Sequence, residues 1–218
     1  LRERLERTRF DGIAGAAQQC VEETMTAWIH NLIANYGCSC LALGGGVFMN
    51  VKLNKLIREM PEVSALSVCP SCGDESCAIG AACCAAAESG SLPAAPAREM
   101  PSIYLGPAYA EAELAKVVSG LPGRGRYRVQ QMEDIEEAVG ELLAQDIVVA
   151  RFSGGTEFGA RALGNRSILA NPANPDLVRK INRMIKNRDF WMPFATTLLD
   201  ERTTDYLVDG RGIPSPYM

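Results

Sequence analysis

The chain has a single histidine, His30, among its 218 residues. It also has no apolar run near the roughly 20 residues that span a bilayer. Its start lacks the basic end, short apolar core and small-residue cleavage site of a secretory signal. A membrane span or an exported chain is therefore not expected, and the expected location is cytoplasmic. The eight cysteines include one Cys-x-x-Cys, Cys69–Cys72, with Cys77 close behind. There is neither a second such pair nor the histidine pair that structural zinc usually requires. Disulfides do not suit a cytoplasmic chain, so most of the cysteines are expected to be small buried hydrophobes. The net charge of −4 argues against non-specific nucleic-acid binding.

What is present is the composition of a globular protein, 47% hydrophobic and 22% charged, in a chain long enough for one large or two small domains. The chain opens at Leu1 inside a charged, helix-like run and closes on the apolar-tipped Ser215–Met218. An excised piece of a longer polypeptide is expected. Apolar residues at Ile13, Ala17, Cys20, Val21, Thr24, Trp28, Leu32 and Ile33 predict an amphipathic helix over 13–36, stopped by Gly37. His30 falls off that stripe and reads as surface. A strand over 39–43 runs into Gly44–Gly45–Gly46, a helix is expected over 50–60, and a second strand over 65–69. A loop carrying Asp74 then leads to a helix over 77–88. This alternation is that of an α/β sheet with sites at the strand ends.

Pro, Gly, Ser and Ala dominate residues 88–101, a linker by composition. The expected division is a first domain over 1–95, a linker over 96–103 and a second domain over 104–218. In the second, helices are predicted over 111–119, 133–144 and 175–186, the last capped by Asn174, with strands over 127–129 and 147–150. Leu177, Val178, Ile181 and Ile185 are expected to face the core, leaving Asn182 and Lys186 together on another face.

The most informative stretch is Glu157–Phe–Gly–Ala–Arg161–Ala–Leu–Gly–Asn165–Arg166–Ser167–Ile–Leu169. From Arg151 to Arg188 there are eight basic residues against two acidic ones, in a chain that is acidic overall. Guanidinium forks beside glycines and an Asn–Arg–Ser triplet suit a polyanionic small molecule. A solvated basic helix face is the plain alternative. For Arg179 and Arg183 the expected role is a surface or interdomain ion pair.

This stretch resembles the EFGPRALGNRSIL signature of the O-carbamoyltransferases of nodulation-factor and antibiotic biosynthesis. Ala160 stands where that family usually has Pro, and Thr196–Thr197 where Pro–Ser is commoner. Gly44–Asn50 is similar to the AGGVALN loop of the family's actin-like (ASKHA) ATPase domain. Gly73–Asp74, followed by Gly80–Ala81–Ala82, is similar to its GDAGGALGAA loop. Glu75–Ser76 replace Ala–Gly there, which could narrow the pocket. The resemblance implies an α/β and α+β chain, the C-terminal half of an actin-like domain followed by a truncated YrdC-like domain.

The implied reaction joins ATP and carbamoyl phosphate into carbamoyl-adenylate, whose carbamoyl group passes to a small-molecule hydroxyl acceptor. Arg161, Arg166 and Ser167 are then the catalytic candidates, with Arg151, Asn165, Asn182, Lys186 and Arg188 binding substrate. Gly44, Gly45, Gly46 and Asn50 would hold nucleotide; taken alone, a triple Gly is equally a tight turn. Asp74 would ligate a divalent metal, iron or magnesium, with ligands supplied from upstream of Leu1; otherwise it is a helix N-cap. The fragment alone is expected to be inactive. Neither a nucleic acid nor a membrane is an expected partner, and a homodimer is compatible. Two other readings stay open: an actin-like sugar kinase or ATPase, which would release ADP, and a non-catalytic nucleotide-binding relative.

Overall fold

A computed structural model describes residues 5–6, 8–91, 102–189 and 192–208. The chain forms two compact units, residues 1–97 with 207–218, and residues 98–206. Most of the expected linker lies outside the described residues. Ile103, which the sequence reading placed at the linker's end, is buried in the second unit and accepts the Phe158 N–H at 2.6 Å.

In the first unit a 27-residue helix, α1 (Phe10–Tyr36), ends where Gly37 turns left-handed and donates its N–H to Ile33. Strand β1 (Cys40–Leu43) pairs in parallel with β2 (Ala65–Val68), Cys40 opposite Ala65 and Leu43 opposite Val68. Between them lie the 3₁₀ turn Gly46–Met49 and helix α2 (Val51–Glu59). After β2 comes the 3₁₀ turn Asp74–Ser76 and helix α3 (Cys77–Glu88). The core gathers Ile29, Leu43, Phe48, Leu53, Ile57, Val63 and Cys72. Helix α2 fits this position because Leu53 and Ile57 are four apart and share one face.

Two expectations fail in this unit. The buried stripe of α1 is rotated by one residue: Ile29 is 2% exposed while Trp28 is 51% exposed. The polar pairs that join α1 to α2, Gln18 with Asn50 and Glu22 with Lys52, fix the rotation, and the apolar pattern alone was too broad to do so. The cysteines are not mostly buried either. Six are exposed, Cys69 is half-buried and only Cys72 is buried. Cys77, Cys83 and Cys84 lie on α3, which packs on the 3₁₀ turn before it and keeps no buried residue.

In the second unit helices α4 (Glu111–Ser119) and α5 (Ile135–Ala144) precede an antiparallel pair, β3 (Val149–Phe152) with β4 (Arg166–Leu169). Helix α6 (Pro175–Ile181) follows, then a π-turn over Asn182–Lys186 and a short helix, α7 (Thr203–Tyr206). Asp134 and Asn174 cap α5 and α6 by accepting N–H groups from Glu137 and Asp176. The expected strand over 127–129 does not form, and β3 begins two residues later than expected. Strand β4 was not foreseen: its residues sit inside the charged signature, where no alternation of apolar and polar residues marks a strand.

The expected helix over 175–186 stops being α-helical at Ile181. Leu177 and Ile181 face the core, but Ile185 is 51% exposed. Asn182 is fully buried while Lys186 is exposed, and the Asn182 amide is engaged by the Met192 carbonyl and by Arg188 Nε. Among the described residues no helix is long and apolar enough to cross a membrane.

Candidate functional site

Strand β3 and the turn after it bring the signature back on itself. Gly155 passes close to the 103–107 segment: a Cβ there would lie 2.8 Å from the Tyr104 carbonyl oxygen, so only glycine fits. Thr156 accepts the Gly106 N–H at 2.9 Å. Glu157, next in the chain, turns its carboxylate toward residues 163–166. One oxygen, Oε1, accepts the N–H groups of Leu163 at 3.0 Å, Asn165 at 2.7 Å and Arg166 at 3.0 Å. Burial pushes this carboxyl's pKa up. The backbone N–H groups of Arg166, Glu157, Leu163 and Asn165 outweigh that and hold it below the usual carboxylate range.

Arg166 does the complementary work. Its guanidinium donates to the carbonyls of Ser153 at 2.6 Å, Asn165 at 3.1 Å, Gly154 at 3.1 Å and Pro107 at 3.4 Å. It also lies 3.6 Å from the centroid of the Phe152 ring, a close cation–π contact. The carboxylate thus collects donors and the guanidinium collects acceptors, and between them they fix the loop. Asn165 adds a bond to the Gly155 carbonyl at 2.8 Å, and Ser167 Oγ accepts the Gly164 N–H at 2.9 Å. The side chains of Asn165, Arg166 and Ser167 therefore tie the loop together. Arg151, opposite Ser167 in the β-ladder, and Arg161, at the tip, are exposed and have no side-chain partner among the described residues.

Beyond α6 the structure builds a second cationic surface. Asn182 donates to the Met192 carbonyl at 3.1 Å and accepts from Arg188 Nε at 2.6 Å. Arg188 lies 4.6 Å from the centroid of the Phe194 ring. A groove of about 680 Å³ is lined there by Arg183, Asn187, Arg188, Asp189 and Met192. Lys186 is exposed beside it. Arg179 makes a surface ion pair, with Asp176 at 3.3 Å; Arg183 makes none among the described residues.

In the first unit the glycine loop joins β1 to the 3₁₀ turn. Gly45 has φ 101°, a conformation that L side chains rarely adopt, and the space beside all three glycines is open. Asn50 caps α2, accepting the Leu53 N–H at 3.1 Å, and exchanges amide hydrogen bonds with Gln18 at 2.8 and 3.2 Å. Asp74 is exposed, and no helix-capping bond from its side chain forms, so the N-cap alternative does not hold. Its neighbour Glu75 accepts from Ser71, which lowers the Glu75 pKa. No group of three or more His, Cys, Asp or Glu side chains able to hold a metal occurs among the described residues. Asp74 alone is one ligand where a hard divalent cation needs about six.

Two family models match the chain: Carbamoyltransferase N-terminus over residues 1–83 and Carbamoyltransferase C-terminus over residues 140–218. Among curated relatives, nodulation protein NolO of Bradyrhizobium diazoefficiens is 30% identical over 91% of this chain and 36% of its own length. Nodulation protein U of Sinorhizobium fredii is 33% identical over 91% of this chain and 32% of its own. An uncharacterized protein of Methanocaldococcus jannaschii, MJ1058, is 32% identical over 90% and 32%. The chain spans about one third of the length of these relatives.

Proposed function

From the carbamoyltransferase family, which the two matching models and the nodulation-protein relatives support for this chain, we propose an O-carbamoyltransferase that works through carbamoyl-adenylate. Hydrolysis of carbamoyl phosphate frees phosphate and carbamate. A carbamate oxygen attacks the α-phosphorus of ATP, and pyrophosphate leaves. The acceptor's hydroxyl oxygen then attacks the carbamoyl carbon, loses its proton, and AMP leaves. The first unit is read as part of an actin-like domain and the second as YrdC-like.

The observation that carries this reading is the division of labour in the signature loop. Glu157 and Arg166 fix its backbone, while Arg151 and Arg161 have no side-chain partner among the described residues. A loop held this way offers cations in a set geometry to developing phosphate charge, with little reorganisation in the transition state. Arg161 and Arg151 are the direct phosphate contacts in this scheme. Arg166, Asn165 and Ser167 act by holding the loop. At the other end, the open glycine loop Gly44–Gly46 would receive the adenylate phosphate with backbone N–H groups. A divalent ion at Asp74 would act as a Lewis acid on the carbamoyl carbonyl, but it needs ligands beyond the described residues.

The test is pyrophosphate release from ATP by the full-length protein, with and without carbamoyl phosphate and with no acceptor present. Release that requires carbamoyl phosphate, and drops about a hundredfold in Arg161→Ala with the fold intact, is the expected result. ADP release indifferent to carbamoyl phosphate would replace this reading with a kinase.

A further inference from the structure

Three cysteines gather on the loop that leaves β2, and the proposed reaction uses none of them. The chain runs Cys69–Pro70–Ser71–Cys72 from the end of the strand toward Asp74, and Cys77 opens α3. It bends at Pro70 and Ser71. Proline in the second place favours such a reversal, because its fixed φ suits the first corner of a β-turn. A β-turn brings its first and fourth Cα within about 7 Å, and a disulfide spans about 4.4–6.8 Å. Both thiols fold back onto the bend. Cys72 Sγ donates to the Cys69 carbonyl at 2.9 Å, and Cys69 Sγ to the Ser71 carbonyl at 3.0 Å. Each sulfur therefore lies against the backbone of the same four residues.

The two thiols differ in access. Cys69 is half-buried, whereas Cys72 is 5% exposed and belongs to the apolar core with Leu43 and Phe48. An oxidant arriving from solvent meets Cys69 first. The rest of the loop is tied without the thiols: the Ser71 hydroxyl donates to Glu75, and the Ser76 hydroxyl to the Ser71 carbonyl. Loss of the thiol hydrogens removes two weak S–H bonds and leaves the Ser71 carbonyl with a partner. A Cys-x-x-Cys beside a β–α–β arrangement is a setting for redox exchange. Where thiols are kept reduced, the disulfides that do form are usually transient and redox-sensing.

We propose that Cys69 and Cys72 form a reversible dithiol–disulfide site that exchanges with low-molecular-weight disulfides, Cys69 attacking and Cys72 resolving. The Cys69 thiolate attacks one sulfur of the small disulfide, whose S–S bond breaks, and one small thiol leaves with the proton that Cys69 gave up. The Cys72 thiolate then attacks Cys69 Sγ, the mixed S–S bond breaks, and the second small thiol leaves with the proton from Cys72. The protein pair is oxidised to a disulfide, and the small disulfide is reduced to two thiols. The new bond closes the bend directly ahead of Gly73 and Asp74, so the redox state sets the freedom of the Asp74 loop. The inference does not depend on carbamoyl transfer.

The experiment equilibrates the folded 218-residue protein with glutathione buffers of rising disulfide content, quenches with acid, blocks free thiols with N-ethylmaleimide and maps the peptides by mass. A Cys69–Cys72 link should grow with the ratio of glutathione disulfide to the square of glutathione, and dithiothreitol should remove it. Backbone amide shifts of Gly73 and Asp74 should move with the link, while those of Leu53 and Ile57 stay. Cys72→Ala should stop at a mixed disulfide between Cys69 and glutathione. Cys69→Ala should leave Cys72 reacting about tenfold more slowly than Cys69 does. Because Cys72 is a core residue, the wild-type and Cys69→Ala measurements carry the test if Cys72→Ala loses the wild-type circular dichroism. Recovery of both thiols as maleimide adducts, under conditions that glutathionylate the exposed Cys20 and Cys83, would overturn the site. So would a link to Cys77 in its place, or a link that forms only in urea. Equal rates for Cys69 and Cys72 would overturn their order of attack, and an unmoved Asp74 amide in the linked protein would overturn the effect on the loop.

Discussion

The two units are held together by different physics. The first is an apolar assembly in which Leu53, Ile57 and Val63 are wholly excluded from solvent. Its strands are parallel, and α2 serves as the connection between them. Among its described residues the second keeps few buried apolar side chains, and one of the largest fully buried groups is an amide, Asn182. Its key loop is shaped by a carboxylate that gathers N–H groups and a guanidinium that gathers carbonyls. Apolar burial is tolerant of direction, whereas hydrogen bonds to fixed atoms are not. The second unit therefore trades core size for a defined arrangement of polar groups, which suits a site more than a scaffold.

Four measurements test this contrast. The largest effect should come from Leu53→Ala, which leaves a cavity in the first core and should lower unfolding stability by about 3 kcal/mol in urea denaturation. Loss of less than about 1 kcal/mol would mean that this core is not the stabilising element. Next is Asn182→Ala, which strands the Met192 carbonyl and Arg188 Nε. A loss of about 2 kcal/mol is expected in the same urea experiment. A loss below about 0.5 kcal/mol would mean that these two bonds do not hold the helix end.

Glu157→Gln tests the signature loop through pH. The native carboxyl is held below its usual value, so its contribution is present above the unfolded carboxylate pKa of about 4.3. That contribution is lost as pH falls through the lower native value. The wild-type protein should be more stable than Glu157→Gln at pH 7, by about 1 kcal/mol given its partial exposure, and the gap should close on acidification. A gap that persists at the lowest pH would assign the effect to shape instead of charge. The smallest change is expected for Asn50→Ala, about 1 kcal/mol from loss of the α2 cap, read from the urea midpoint. A strong loss of nucleotide binding without that loss of stability would make Asn50 a ligand residue first and a cap second.

Much of the secondary structure was legible. Helices over 77–88 and 111–119 coincide with expectation, and the capping of α6 by Asn174 was read directly from Asn–Pro ahead of an apolar period. What escaped was wherever local pattern gives no direction. The rotation of α1 depends on Gln18 and Glu22 meeting residues 32 and 30 positions away. The exposure of the α3 cysteines depends on which elements reach that helix. Glu157 was given no role from the sequence, and Arg166 was read as a contact to substrate. Only the folded loop shows that their partners are backbone groups.

Residue type and short-range spacing were enough for most of the helices, the first unit's two strands, the clustering of cations between residues 151 and 188 and the resemblance that named a chemistry. Tertiary structure alone decided which cations are left for a ligand. That choice turns on contacts such as Arg166 with Pro107, 59 residues apart, and Arg188 with the buried Asn182. Spacing along a chain fixes neither, since both depend on where the backbone is held once the loop and the helix end have closed.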